Sequence, residues 1–457
     1  MLTITNPATG KTVARLPADD ARSVKAKYGA ARDAQPTWAA TPLRRRLEML
    51  ARFRAGVAEQ GEELAAILTT EMGKPIAQAR GELKGVLARL DFFLAETTRA
   101  LRTRKVSGAK DAPMQELITH EPLGVVANVS AWNYPWFVGT NVFVPALAAG
   151  NTVLYKPSEF ATLTGLAIAR LLHASGVPDA AFVPLVGGGD VGAALVRQPV
   201  DGIFFTGSYA TGRRIAAAAR DRMVKVQLEL GGKDPAYVCE DVDVAAAAAS
   251  LADGAFYNAG QSCCSVERIY VHEKVFAAFL EAFLREVRGY KVGDPQDDGT
   301  YLGPLTRAPQ LKVLEAQVKD ARRKGARVLL GGARLRRPGN WFQPTVLVDV
   351  NHDMAVMREE SFGPIIGLMP VAGDAEAIRL MNDTDYGLTA GVYTRERRRA
   401  ARILARVHAG SVYWNCCDRV SPRLPWSGLG HSGIGLTLST YGIETFTRPK
   451  AWHLKAP

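Results

Sequence analysis

Cysteine is scarce in this chain, and the few residues present do not make a disulfide framework. Cys239, Cys263, Cys264, Cys416 and Cys417 are odd in number and include two adjacent pairs. Neighbouring cysteines rarely bridge each other, so a reducing, cytoplasmic setting is expected. There is no C-x-x-C, and none of the seven histidines is paired at ligand spacing; no metal site is expected. No apolar run reaches the roughly 18 residues that a membrane helix needs, and the richest stretch, 138–149, is interrupted by Pro145. The opening MLTITNPATG lacks the basic-then-apolar pattern of a secretory signal.

Acidic residues are outnumbered, 45 against 57 basic ones, for a net charge of +12. The basic residues are scattered. The densest cluster, 395–402, also contains Glu396 and reads as the solvated face of a helix. Scattered charge gives only non-specific attraction, so no nucleic-acid partner is expected, although an anionic cofactor gains from a basic protein. At 457 residues the chain exceeds one hydrophobic core, and two or three domains are expected.

The first hundred residues read as helices. Residues 42–72 carry Leu47, Leu50, Ala51 and Val57 at helical spacing, Gly73-Lys74-Pro75 breaks the pattern, and a second helical stretch runs over 76–101. The polar segment 102–121 suits a protruding hairpin. From Gly124 short apolar runs alternate with helical stretches: 125–129, 152–155, 182–186, 202–205 and 226–230, then 268–272, 346–350, 365–371, 389–393 and 410–414. That alternation predicts an α/β fold of two parallel-sheet units joined near Gly231-Gly232. The run Ala245–Ala249 is expected to be helix.

Two residues stand out chemically. Cys263 ends Asn258-Ala259-Gly260-Gln261-Ser262-Cys263, a glycine-containing turn that can present a thiol at the floor of a cleft. Read alone, Cys263 and Cys264 are small core fillers. Glu229 sits in Leu228-Glu229-Leu230-Gly231-Gly232-Lys233, a carboxylate among apolar neighbours. Burial raises the pKa of such a group toward neutrality, as a general base requires. Pairing with a buried Lys or Arg is the alternative.

With these segments in view, the chain resembles the NAD(P)-dependent, non-acylating aldehyde dehydrogenase superfamily over essentially its whole length. The resemblance rests on seven segments in the family's order: Trp132-Asn133-Tyr134-Pro135, Lys156-Pro157-Ser158-Glu159, Phe205-Thr206-Gly207-Ser208, the Glu229 segment, Gly260-Gln261-Ser262-Cys263, Glu360-Ser361-Phe362-Gly363-Pro364 and the run 382–388. The separation of 34 positions from Glu229 to Cys263 matches the family. The resemblance implies a Rossmann-like NAD-binding domain (1–101 and 122–231), an α/β catalytic domain (232–437) and a small β oligomerisation element (102–121 and 438–457). It implies Cys263 as nucleophile, Asn133 and the Cys263 N–H as oxyanion donors, and Glu229 as the base that hydrolyses a thioester, with Lys233 positioning that region. Lys156 belongs to both the catalytic and the cofactor sets.

The chain has no G-x-G-x-x-G after its first sheet strand, and the spacing of Gly187-Gly188-Gly189 is wrong for one. Phe205-Thr206-Gly207-Ser208 with Gly212 is the better phosphate site, because it ends a strand and opens a helix. The resemblance places Lys156 and Glu159 at the adenosine ribose, Glu360 at the nicotinamide ribose, and Phe362 and Trp132 beside the cofactor. Glu159 would repel a 2′-phosphate, which favours NAD over NADP.

The resemblance implies an aldehyde substrate. Semialdehyde-oxidising members carry arginines where this chain has Asn141 and Tyr257, which argues against a dicarboxylic semialdehyde. Tyr134, Tyr257 and Trp426 match an aromatic box of betaine- and aminoaldehyde-oxidising members, with Asn141 in place of a fourth aromatic and Asp418 near the pocket mouth. A cation would bind such a box by cation–π attraction; a tunnel for aliphatic or aromatic aldehydes is the equal alternative. An acylating, CoA-dependent member would lack Glu229, and a non-enzymatic binding protein would have lost Cys263, Asn133 or Glu229. The segments 102–121 and 441–454 resemble the family's oligomerisation strands, and the resemblance implies a homodimer or a homotetramer built from dimers.

Overall fold

The computed structural model describes residues 1–106 and 114–455. A six-stranded sheet is built from Val125–Val129, Thr152–Lys156, Phe182–Pro184, Gly202–Thr206 and Lys225–Glu229, all parallel, with the short Gly433–Ile434 added antiparallel at one edge. The chain enters at Val125–Val129 in the interior, winds outward through Thr152–Lys156 to Phe182–Pro184, then crosses to Gly202–Thr206 and winds the other way. The strands 125–129 and 202–206 therefore flank the switch point where the winding reverses, and ligands of such sheets bind outside the carboxyl ends there. Strands covered on both faces explain the near-continuous apolar runs in the sequence.

A seven-stranded sheet follows, in the order Arg327–Leu330, Thr345–Val348, Ile365–Val371, Val266–His272, Asp234–Val238, Thr389–Tyr393, Ser411–Trp414; only the first strand is antiparallel to its neighbour. The chain passes from one sheet to the other between Glu229 and Asp234. Each sheet has its own buried cluster, and a third cluster joins the N-terminal helices to one face of the first sheet. A three-stranded sheet pairs Thr447–Lys455 with Met114–Pro122, and the latter with Arg104–Lys105. The turn of the expected 102–121 hairpin, residues 107–113, lies outside the described residues.

Several expectations need correction. The first hundred residues are not all helical: Leu2–Thr5 and Thr12–Leu16 form an antiparallel pair before the first helix, Ala21–Ala40. The helical stretch 42–72 is two helices, Leu43–Glu59 and Gly61–Met72, meeting at Gln60. Asp234–Val238 is a central strand that the sequence did not announce, because Pro235 argues against one; the register shifts between Asp234 and Pro235, and that irregularity accommodates the proline. Gly433–Ile434, placed by sequence with the second unit, pairs with the first sheet. The segment 438–457 begins with a helix, Ser439–Glu444, before its strand.

Candidate active site

Four segments leave the carboxyl ends of the first sheet side by side. Val129 is paired with Lys156 and with Phe205, and Thr206 with Glu229. This register brings Trp132-Asn133, Lys156–Glu159, Gly207-Ser208 and Glu229–Gly232 to one edge. The second sheet offers its amino ends to the same seam. Cys263 lies just before Val266–His272, Lys233 just before Asp234–Val238, and Phe362 just before Ile365–Val371.

The turn that presents Cys263 is left-handed at three successive residues, Asn258, Ala259 and Gly260, with φ of 55°, 54° and 69°. Such a conformation costs an alanine about 1–2 kcal/mol, so the turn must be held by its partners. Asn258 N–H donates to Gln78 Oε1 at 2.9 Å, Gln261 Nε2 donates to Asn258 O at 3.1 Å, and Thr306 N–H donates to Gln261 Oε1 at 2.9 Å. A Cβ on Gly260 would lie 2.3 Å from the Gly363 carbonyl oxygen; only glycine allows that approach. The buried Asn133 donates through Nδ2 to the Gln261 carbonyl at 3.1 Å. It is thereby fixed against the segment carrying Cys263, with its second amide hydrogen left over.

Cys263 is partly exposed and lies with Trp132, Phe137 and Val420 on the margin of one apolar cluster, whereas Cys264 is inside it. Cys264 is not a simple filler: its Sγ donates to Asp418 Oδ1 at 2.9 Å. Contact with Cys263, burial and the Asp418 charge hold the Cys264 thiol well above its ordinary pKa.

Glu229 is buried, and no cation lies within ion-pair distance of it among the described residues. Its Oε1 accepts from the Thr437 hydroxyl and from Gln227 Nε2, the latter at 3.1 Å. Burial pushes its pKa up to about 7, against the lowering effect of those two bonds and of Arg89. Two residues on, the Gly231-Gly232 pair is pressed between partners. Gly232 N–H donates to Glu360 Oε1 at 3.1 Å, and a Cβ on Gly232 would lie 2.7 Å from the Cys263 carbonyl oxygen. Burial raises the Glu360 pKa to about 8. Lys233 donates to Glu267 Oε2 at 2.6 Å, and Glu267 accepts from the N–H groups of Ser361 and Phe362 at 2.8 and 3.0 Å. This buried pair holds Phe362 at φ 47°, its ring edge-on to Trp132 with centroids 5.5 Å apart.

On the cofactor side, Ser208 caps the helix Tyr209–Ala219 by accepting from Thr211 N–H. The other N–H groups of that first turn remain available for an anion. Gly212, one turn in, packs against Leu230. The Lys156 ammonium is buried, and the single acceptor it meets among the described residues is Glu159 Oε2 at 3.4 Å. These groups fit a dinucleotide: backbone donors for its phosphates, and a cation with a neighbouring carboxylate for a ribose.

On the substrate side, the residues expected to form an aromatic box have other partners as well. Tyr134 stacks on Phe137 at 5.7 Å, and the Lys74 ammonium lies 3.7 Å from the Tyr134 ring centroid. Asn141 accepts from Arg89 Nε at 3.1 Å. Tyr257 is half-buried beside Gly81, and Trp426 is buried, its main chain paired with Thr437. Among the described residues, Tyr134, Tyr257 and Trp426 make no ring contacts with one another. Asp418, expected near the pocket mouth, is partly exposed. It accepts from Ser262 Oγ at 3.1 Å as well as from Cys264. The sequence reading missed Thr437, Gln227, Glu267, Lys74, Glu82 and Arg89. Glu82 and Arg89 lie on the helix Ile76–Ala100, and Lys74, just before it, forms a buried ion pair with Glu82.

With this geometry in hand, comparison with known proteins is decisive. The sequence profile of the aldehyde dehydrogenase family matches residues 1–452. The chain belongs to that family. It is 37% identical to 3,6-anhydro-alpha-L-galactose dehydrogenase of Streptomyces coelicolor, over 99% of this chain and 93% of that one. It is 35% identical to the peroxisomal aminoaldehyde dehydrogenase 2 of Malus domestica, over 98% and 91%. The crystal structure of PnpE in complex with nicotinamide adenine dinucleotide superposes with a TM-score of 0.96 at 33% identity, covering 99% of this aldehyde dehydrogenase and 94% of PnpE. No helix among the described residues is long and apolar enough to cross a membrane.

Proposed function

We propose that this aldehyde dehydrogenase oxidises its substrate in two halves, with Cys263 as nucleophile and Glu229 as the base for hydrolysis. The Cys263 thiolate adds to the aldehyde carbon. The oxyanion so formed faces the spare Asn133 amide hydrogen and the Cys263 N–H; one such donor is worth about 3 kcal/mol of barrier. A bound nicotinamide dinucleotide supplies the hydride acceptor. Loss of hydride leaves an acyl thioester on Cys263. Glu229 then takes a proton from water, the hydroxide adds to the thioester carbonyl, and the thiolate departs, giving the carboxylic acid. A base with a pKa near 7 suits that step at neutral pH.

The observation that carries this reading is the convergence of three segments. Asn133 is bonded to the turn that presents Cys263, and the Glu229 segment abuts the Cys263 carbonyl at Gly232. Lys156, Glu159, Gly207, Ser208, Glu360, Phe362 and Trp132 would hold the dinucleotide. Glu159 beside the ribose makes NAD the preferred form. The exposed edge strand Thr447–Lys455 supports a homodimer or a tetramer of such dimers. Light scattering showing only monomer at micromolar concentration contradicts that assembly. The reaction is tested by rapid mixing. Glu229→Gln gives one NADH per active site and then stalls, with the acyl group found on Cys263 by mass spectrometry. Steady turnover at the wild-type rate removes Glu229 from the role.

A further inference from the structure

Arg89 lies on the long helix Ile76–Ala100, two turns beyond Glu82 and one beyond Gly85. It is only 4% exposed. Its guanidinium carries five N–H donors, yet Nε bonds Asn141 Oδ1 at 3.1 Å and Nη2 reaches the Val420 carbonyl only at 3.5 Å. No carboxylate lies within ion-pair distance of it among the described residues. Other buried arginines of this protein are treated differently. Arg46 bonds four backbone carbonyls, and Arg268 bonds the carbonyls of Lys233, Leu380 and Met381 and the Tyr270 hydroxyl. A buried charge with donors to spare is costly unless something else completes its shell.

The place of the guanidinium suggests what that is. Its Cζ lies over the Phe137 ring, 3.7 Å from the centroid. Its Nη2 faces the Val420 carbonyl, and the Cys264 thiol and the Glu229 carboxylate both act electrostatically on it, so Arg89 lies on the side of the nucleophile and the base. Gly85 clears the approach: a Cβ there would fall 2.6 Å from Phe137. The nearby acids are otherwise engaged. Glu82 is paired with Lys74, Asp418 accepts from Ser262 and Cys264, and Glu229 is held by Thr437 and Gln227. Burial lowers the Arg89 pKa only to about 10, so the group is charged at neutral pH. A cationic aldehyde meets the wrong field, because the Tyr134 ring already carries the Lys74 ammonium and the residue in the fourth box position, Asn141, is bound to Arg89.

We propose that Arg89 is the specificity residue of this enzyme and binds the carboxylate of an aldehyde acid, with Asn141 holding the guanidinium in place. The expectation against a carboxylate-bearing substrate rested on Asn141 and Tyr257; the arginine is supplied instead from the helix behind Asn141. This inference rests on the dehydrogenase reading above, and the test separates the two. Wild-type kcat/KM is measured with 4-oxobutanoate, 5-oxopentanoate and 6-oxohexanoate, with pentanal, glyceraldehyde and 4-aminobutanal as neutral, hydroxylated and cationic controls. At least one oxo acid is expected to exceed every control tenfold or more. Arg89→Met is expected to lose about 100-fold on that oxo acid and less than about tenfold on pentanal, mostly in KM, with Arg89→Lys partly restoring the oxo acid. Should Arg89→Met not fold, inhibition of pentanal oxidation by the wild type decides: glutarate must compete at least tenfold better than butylammonium. Oxidation of pentanal, glyceraldehyde or 4-aminobutanal as well as of any oxo acid, or an equal loss on all substrates in Arg89→Met, overturns the assignment and leaves the reaction standing. No NADH from any of the six aldehydes overturns both.

Discussion

Replacing Thr437 by valine keeps the shape of the side chain and removes the hydroxyl that donates to Glu229 Oε1. The bond favours the ionised carboxylate, so its loss must raise the Glu229 pKa from its value of about 7. A hydrogen bond to a charged group is worth about 1.5–3 kcal/mol, which at about 1.4 kcal/mol per unit is a rise of about one to two units. Glu229 must be ionised to take a proton from water, so hydrolysis weakens below its pKa. At pH 7 the ionised fraction falls from about one half to about one tenth or less, and steady turnover should slow about fivefold or more. The assay is a pH profile of steady NADH formation beside the pre-steady-state burst. In Thr437→Val the acid limb of kcat should move to about pH 8 or above, while burst amplitude stays near one per site, because acylation does not use Glu229. Gln227 still donates at 3.1 Å, so the carboxylate keeps its place. An acid limb that stays near pH 7, or a burst lost in parallel with turnover, refutes the reasoning.

Other outcomes follow from the same geometry. Cys263→Ala should abolish dehydrogenation and leave NAD binding intact, whereas Cys264→Ala, which removes one donor from Asp418, should cost about 1–2 kcal/mol of stability and little rate; the reverse pattern in activity and urea denaturation contradicts the choice of nucleophile. Because the folded state raises the Glu229 pKa, that residue's contribution to stability is full below pH 4.5 and is lost as pH rises through about 7. The stability of wild type relative to Glu229→Gln should therefore fall by about 3 kcal/mol between pH 4 and pH 8, and a flat difference in urea melts opposes it. Glu159→Ser should narrow the preference for NAD over NADP in kcat/KM, and equal use of both cofactors by the unaltered enzyme shows that Glu159 does not discriminate.

Much of the fold was open to a local reading because parallel strands covered on both faces must be short and apolar. The strands at 125–129, 365–371 and 389–393 stand where the runs put them. Elements failed where a local signal was weak or opposed. Pro235 concealed a central strand, and Gly433–Ile434 is too short for any period to show. The N-terminal pair is another such case: only Ile4 of Leu2–Thr5 is buried, so alternation is hardly visible.

The site divides along the same line, between what a turn displays in itself and what reaches it from elsewhere. Asn258-Ala259-Gly260 and Gly231-Gly232 are visible as turns, since small residues there serve backbone conformation and close approach. What the glycines make room for is not visible: Gly232 faces the Cys263 carbonyl and Gly260 the Gly363 carbonyl, partners set by how the two sheets meet. The groups that tune the chemistry are more remote still. Thr437 reaches Glu229 across 208 residues, and Arg89 reaches Asn141 across 52. Neither carries a local mark, for a threonine near a chain end and an arginine on an amphipathic helix have ordinary uses. The proposed nucleophile follows a left-handed turn and the proposed base ends a strand just before a glycine pair, and sequence shows both of those features. Their pKa values and the substrate's charge depend on side chains whose backbone is ordinary, so specificity is where a sequence reading is weakest and where the placement of Arg89 adds most.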